Sequence, residues 1–235
     1  MKLDSEIRKI AQKWGIDHFG IADLNCTRQL ASQDGGQQEI YPKAISIGLN
    51  LFHDIVDQLP NRKTQSVSIA YKHHCYNVIN YRLDLIASDI SSQIQRSGYR
   101  VFPIPASKRI SDQNLTGAFS HKMAANLCGL GWIGKSCLLV TPTNGPRVRF
   151  ATILTNAPIE STGNEIDNKC DGCQECVDVC PAKAFTGRSF NKNEKRELRY
   201  DAHKCDQYFN RIRKVHNWAM CGMCVYVCPF GQQNK

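Results

Sequence analysis

Residues 170–181 read CDGCQECVDVCP and residues 221–229 read CGMCVYVCP. The first stretch is Cys170-x2-Cys173-x2-Cys176-x3-Cys180-Pro181, a spacing that lets one tight loop wrap three corners of a 4Fe–4S cubane while the fourth cysteine reaches a second cluster. The second stretch, Cys221-x2-Cys224-x3-Cys228-Pro229, repeats the layout with Trp218 where its leading cysteine would stand. Cys205 is the replacement that closes the count. Cluster one then takes Cys170, Cys173, Cys176 and Cys228, and cluster two takes Cys180, Cys205, Cys221 and Cys224. Paired C-x2-C motifs also build zinc sites, but a three-cysteine loop with a trailing Cys-Pro is not a zinc spacing.

Eight of the twelve cysteines fall between residues 170 and 228, so composition changes abruptly after about residue 160. The expected organisation is an α/β domain over residues 1–163, then a bacterial-ferredoxin-like double-cluster domain over 164–235. The other four cysteines, Cys26, Cys75, Cys128 and Cys137, lie in apolar stretches and read as small core residues. The chain opens MKLDSEIRKI, polar and charged, without the apolar stretch of a secretion signal, and has no run suited to crossing a membrane. A cysteine surplus in such a chain fits a reducing cytoplasm and metal binding better than disulfides. The formal net charge of +9 suggests an acidic partner. Eight thiolates on two oxidised clusters, at about −2 per site, would lower it to about +5.

Upstream, Ile7, Ile10, Ala11 and Trp14 have helical spacing, with Asp4 as cap and Gly15 as stop. His18–Leu24 and Ala44–Phe52 read as buried strands, and Thr27–Gln38 as loop. Cys75, Ile79, Leu83, Ile86, Ile90 and Ile94 mark a long amphipathic helix ending at Gly98. Tyr99–Ala106 reads as a strand that Pro103 and Pro105 push to a sheet edge, and Phe119–Cys128 as a helix. Cys137–Thr141 and Arg147–Thr155 flank the turn signal Thr143-Asn144-Gly145-Pro146 and read as a hairpin. The fold expected is α/β (α+β) with a mixed sheet.

Gly129-Leu130-Gly131-Trp132-Ile133-Gly134-Lys135-Ser136 matches the phosphate-loop pattern G-x4-G-K-S. That mechanism requires the loop to leave a strand and open a helix, whose N-terminal amides hold the phosphates. Here a helical pattern precedes and a strand pattern follows, so the match is read as a coincidence of letters. A glycine-rich loop of this kind can still let backbone approach a large ligand.

The segment AANLCGLGWIGKSCLLVTP (124–142), the N-terminal WGIDHFGIADL (14–24), Ala70-Tyr71, Tyr76 and the eight-cysteine layout together resemble the epoxyqueuosine reductase family. That family is related more distantly to the corrinoid-containing reductive dehalogenases. The resemblance implies an N-terminal domain that holds a cobalamin and a double-cluster module that feeds it electrons. The reduced cobalt attacks or coordinates the substrate and a carboxylic acid supplies a proton; the family's product is queuosine in tRNA. It places Tyr71, Tyr76, Gly129, Gly131, Trp132, Gly134 and Lys135 around the cobalamin. The position of the family's acid falls on Leu115, and the nearest carboxylate is Asp112. The chain resembles a short form, stopping at Lys235 without the HEAT-like helical repeats of the long members.

The implied function is a cytoplasmic iron–sulfur oxidoreductase passing electrons through two 4Fe–4S clusters to cobalamin for a reductive, epoxide-deoxygenation-like reaction. Its alternatives are a non-catalytic electron carrier or accessory protein, and a corrinoid reductase acting on another small substrate. Expected partners are an electron donor such as flavodoxin or ferredoxin, and tRNA, with no membrane. His73, His74 and His121 read as surface or core residues before cobalt ligands. From Arg188 to Lys214, nine Lys or Arg face four Asp or Glu, interleaved with Tyr200, Tyr208 and Phe209. This stripe is either a solvated insertion or a docking site for phosphates or an acidic donor. Cys205→Ala is expected to lower iron from about eight to about four per chain; unchanged iron would overturn the ligand assignment.

Overall fold

In the computed structural model, which describes residues 2–25, 40–216 and 218–232, the elements alternate as the apolar pattern requires. They are α1 (Lys2–Lys13), β1 (His18–Asp23), β2 (Lys43–Asn50), α2 (His53–Asp57) and α3 (Gln65–Lys72). A π-turn over His73–Val78 leads into α4 (Ile79–Arg96), followed by β3 (Val101–Ile104) and α5 (His121–Leu127). Then come β4 (Trp132–Ile133), β5 (Leu139–Val140), β6 (Val148–Thr155), α6 (Glu175–Asp178), α7 (Ala202–His216) and α8 (Met223–Tyr226). Cys26 and the Thr27–Gln38 loop reading lie outside the described residues.

Two compact units interleave along the chain. One contains Met1–Leu49, Asn80–Gly131 and Arg149–Ile166; the other contains Asn50–Ile79, Trp132–Val148 and Asp167–Lys235. The boundary read from sequence near residue 164 lies beside the last crossing, and the second unit also takes in two earlier segments.

The first unit is built on a four-stranded sheet in the order β1-β2-β6-β3. β1 runs antiparallel to β2, pairing His18 with Gly48 and Asp23 with Lys43. β3 runs antiparallel to β6 at the sheet's end, where Pro103 leaves no interior ladder bond unmade. α1 buries Ile7 and Ala11 and ends at Gly15, whose φ of +62° lets Ile16 N–H reach back to the Ala11 carbonyl. On α4, Leu83, Ile86, Ile90 and Ile94 are fully buried. Each contributes about 1.5–3 kcal/mol of burial free energy. Gly98, at φ +87°, ends that helix as expected. Ser120 caps α5 through its Oγ, which accepts the Met123 N–H, and Ala124 and Leu127 join Ala22, Leu24, Ala44 and Leu154 in the core.

Two sequence expectations are corrected. The long helix does not begin near Cys75: helical backbone starts at Gln65 and passes through the π-turn. The wider turn keeps Tyr71, Cys75 and Ile79 buried on one line, and that extra residue breaks the usual period. The hairpin between residues 137–141 and 147–155 does not form. β5 pairs instead with β4, Trp132 opposite Val140 and Ile133 opposite Leu139. Cys137 takes φ +54° and its N–H bonds the Gly134 carbonyl, so residues 134–138 fold back on themselves. The turn signal is real, closed by paired Thr141–Gly145 backbone bonds, but β6 is buried from Phe150 to Thr155 and takes a central place in the sheet. No helix among the described residues is long and apolar enough to cross a membrane.

His121 has both ring nitrogens engaged. Nε2–H donates to the Pro105 carbonyl (3.1 Å) and Nδ1 accepts from Thr152 Oγ1 (2.9 Å), since a carbonyl can only accept. No lone pair remains for a metal. Burial, reinforced by the Arg149 charge, lowers its pKa from 6.5 to about 4. The unfolded chain therefore takes up this proton first, and stability falls as pH drops from about 6.5 to about 4, then levels. Denaturant unfolding at pH 7 and 4.5 is expected to show a smaller loss for His121→Gln than for the native chain; equal losses would overturn the assignment.

Candidate metal centre

The seven cysteines of the two runs and Cys205 all lie in the second unit. Asn168 Oδ1 accepts the Cys170 N–H (2.8 Å) while its Nδ2 donates to the Ile133 carbonyl (3.1 Å). The next turn closes through Cys173 N–H to the Cys170 carbonyl (2.8 Å), with Asp171 at φ +37°. α6 carries Cys176 and is too short to bury any residue of its own. Cys180 is buried and its sulfur receives the Ala184 N–H at 3.5 Å. Cys205 sits in the first turn of α7, Cys224 on α8, and Cys228 just before a 3-10 turn over Pro229–Gly231.

The thiols perturb one another in two sets. Burial first, then the charges of Cys170, Cys228 and Cys173, push the Cys176 thiol up to about 12. Cys228 rises to about 11 through burial, with Cys170 and Cys173 adding to it, and Phe230 and Gly231 N–H groups donating to its sulfur. In the other set, burial and the neighbouring Cys221, Cys205 and Cys180, with Cys176 of the first, push Cys224 far up. Cys205 and Cys221 are raised by burial and by Cys180. Most of these neighbours fall within the groups read from the spacing, while Cys176 of the first also bears on Cys224 of the second. Thiols gathered this way resist ionising unless a cationic centre collects them. Among the described residues no three His, Cys, Asp or Glu side chains close on a single-ion site.

Backbone and side-chain donors are arranged to suit. Arg62 Nη1 donates to Met223 Sδ (3.1 Å), and its guanidinium favours the ionised form of Cys221. Tyr200 stacks on Phe185 and hydrogen-bonds the Cys205 sulfur. Three buried side-chain N–H groups have no acceptor among the described residues, and besides Arg199 Nε two of them adjoin the second cysteine run. Trp132 Nε1 is one, its ring against Phe230; Arg147 Nε is the other, beside Gly231. Phe230 and Gly231 directly follow Cys228-Pro229. Arg147 is itself fully buried and held by Asp57 (2.8 Å) and His53 (3.2 Å). None of these contacts is signalled by a sequence motif.

The residues implied for a cobalamin are mostly occupied by protein contacts. Lys135 is 5% exposed and donates to the carbonyls of Asp171 (2.6 Å) and Cys173 (3.0 Å). At Gly134 a Cβ would meet Val140 at 2.9 Å and the Cys170 sulfur at 3.4 Å. Gly129, at φ +74°, packs against the Asn164 backbone, and Gly131 gives its carbonyl to Asn126. Tyr71 is buried with its hydroxyl against Gly222, and its ring meets Tyr76 edge-on. Tyr76 stays half-buried, beside the exposed His73 and His74. Leu115 sits at φ +50° and Asp112 is exposed in the same turn, closed by the Ser111–Thr116 bridge. Cys75, Cys128 and Cys137 are buried, as read.

Residues 169–231 match the family model of a 4Fe-4S double cluster binding domain. An epoxyqueuosine reductase of Listeria monocytogenes is 34% identical over 119 residues, 50% of this chain and 31% of that protein. The chain spans about a third of the length of the first such curated relatives. Among solved structures, an epoxyqueuosine reductase with a modified tRNA-Tyr stem loop superposes with a TM-score of 0.59 at 18% identity, over 99% of this chain and 66% of that one. A reductive dehalogenase described with B12-dependent dehalogenation gives 0.69 at 19%, over 97% and 32%. The fold is therefore that of these proteins.

Gly145 stands at φ +54° with its Cβ position 2.7 Å from the Phe230 carbonyl carbon. Gly145→Ala is expected to destabilise the chain by about 2 kcal/mol or more, read as a lower denaturation midpoint. An unchanged midpoint would overturn the packing described.

Proposed function

We propose that the chain is the core of a corrinoid iron–sulfur reductase, binding two 4Fe–4S clusters and a cobalamin and catalysing a reductive reaction like epoxide deoxygenation. The observation that carries this reading is the match of residues 169–231 to a 4Fe-4S double cluster binding domain, a stretch that holds all eight cysteines assigned from the spacing, Cys170, Cys173, Cys176, Cys228 and Cys180, Cys205, Cys221, Cys224. N–H donors to Cys180 and Cys228 support it, because thiolates on a cluster are stabilised by such bonds. A bound cobalamin would supply a strongly reducing cobalt. The chain's own contribution there is Tyr76, half-buried against Tyr71, whose hydroxyl in turn touches Gly222 of the second cysteine run. Lys135, Gly134 and Trp132 contact the cysteine loops.

The likeness to epoxyqueuosine reductases supports a nucleoside substrate carried on RNA, and cytoplasmic residence. α7 offers cations for phosphates: Lys204, Arg211 and Lys214 are exposed along one side of it and Arg213 on the other. A one-electron donor such as flavodoxin or ferredoxin would reduce the clusters. A second reading, an electron carrier without its own chemistry, is favoured by Leu115, which places an apolar side chain where the proton-donating acid would stand.

Anaerobic absorbance with iron and cobalt analysis, after growth with cobalamin, tests the two readings. About eight irons and one cobalt per chain are expected; eight irons without cobalt even after soaking would leave only the electron carrier. For the RNA face, reversing Arg211, Arg213 and Lys214 to Glu is expected to weaken binding of an RNA stem loop more than about tenfold at low salt. Equal affinity would remove RNA from the reading.

A further inference from the structure

Lys135 is the residue that completes the false phosphate-loop match, and its ammonium is buried beneath an exposed loop. Nζ reaches up to two carbonyls, Asp171 at 2.6 Å and Cys173 at 3.0 Å, which flank Gly172 at the crest of the first cysteine turn. Asp171, Gly172 and Cys173 are exposed while Lys135 is 5% exposed, so the cation enters from the inner side. Its neighbour Gly134 leaves the Cys170 sulfur room to lie against the backbone. Among the described residues Lys135 has no carboxylate partner.

A buried ammonium with only neutral carbonyls for company is costly by several kcal/mol. Folding tolerates it when an anion shares the site. Four thiolates on an oxidised 4Fe–4S cluster carry a net charge of about −2, and one-electron reduction makes the site more negative still. A fixed cation stabilises the reduced form more than the oxidised one, and in a low-dielectric surround that difference is large.

We propose that Lys135 is the built-in counter-charge of cluster one: it seats the Cys170–Cys173 loop and holds that cluster's reduction potential up. This rests on the ligand assignment proposed above. Lys135 is a positioning and tuning residue, acting on the cluster through the loop and its field. The glycine-lysine pair is thereby explained without a nucleotide: Gly134 admits the sulfur and Lys135 supplies the charge.

The test is a potentiometric titration with dithionite as reductant, followed by electron paramagnetic resonance, on anaerobically reconstituted full chain. Lys135→Gln keeps donors to the carbonyls and removes the charge; Lys135→Met removes both. The wave that survives in Cys205→Ala identifies cluster one. With iron near eight per chain, both neutral variants are expected to lower the reduced-to-oxidised ratio of cluster one about tenfold at fixed potential, or 59 mV for one electron, and to leave the other wave in place. Native potentials in Lys135→Gln with full iron would overturn the proposal and leave the lysine as a loop clasp. If neither neutral variant assembles cluster one, Lys135→Arg decides: restored iron supports the counter-charge, and iron still missing overturns it. A native chain that takes up no iron would overturn the ligand assignment together with this proposal, and is seen before any variant is made.

Discussion

Four thiols crowded into one partly buried place repel charge, and everything in the second unit is arranged around that constraint. Cys176, Cys224 and Cys228 are each raised by burial and by their neighbours, so burial by itself favours the protonated form. Iron reverses the balance, and the protein helps by supplying donors and cations from outside the cysteine runs. Arg62 faces Cys221, Tyr200 faces Cys205, and Lys135 lies under the first loop. The packing is made possible by glycine where side chains would collide: Gly222 against Tyr71 and Leu59, and Gly145 against the turn after Cys228.

The cysteine layout was legible because covalent spacing fixes which thiols one loop can bring together. The long helix was legible for the same kind of reason, since Leu83, Ile86, Ile90 and Ile94 repeat at helical intervals. The π-turn was not, because one additional residue shifts the phase of Ser68 and Tyr71 against everything that follows. Nor was the fate of the segment after Gly145. Its turn chemistry announces a hairpin, yet a strand buried from Phe150 to Thr155 gains more from two sheet neighbours than from one. Contacts such as Arg147 with Asp57, ninety residues apart, leave no local trace in a sequence.

Resemblance and geometry diverge most around the glycine-rich segment. It carries the likeness to corrinoid enzymes, while its side chains Trp132 and Lys135 are turned to the cysteine loops. A motif can thus be typical of a family through what it does for the clusters. Leu115, with Asp112 beside it, belongs to a different turn, closed by the Ser111–Thr116 bridge.

The interleaving of the two units sets an order of events during synthesis. The segment from Asn50 to Ile79 leaves the ribosome long before Cys221, Cys224 and Cys228 exist, yet it contributes Arg62 and Tyr71 to their surroundings. Closing so large a loop has an entropic cost that only late contacts repay. The second unit therefore cannot mature stepwise from the N-terminus. Arg62 and Tyr71 meet the neighbours described above only once Gly222 and Met223 have been made.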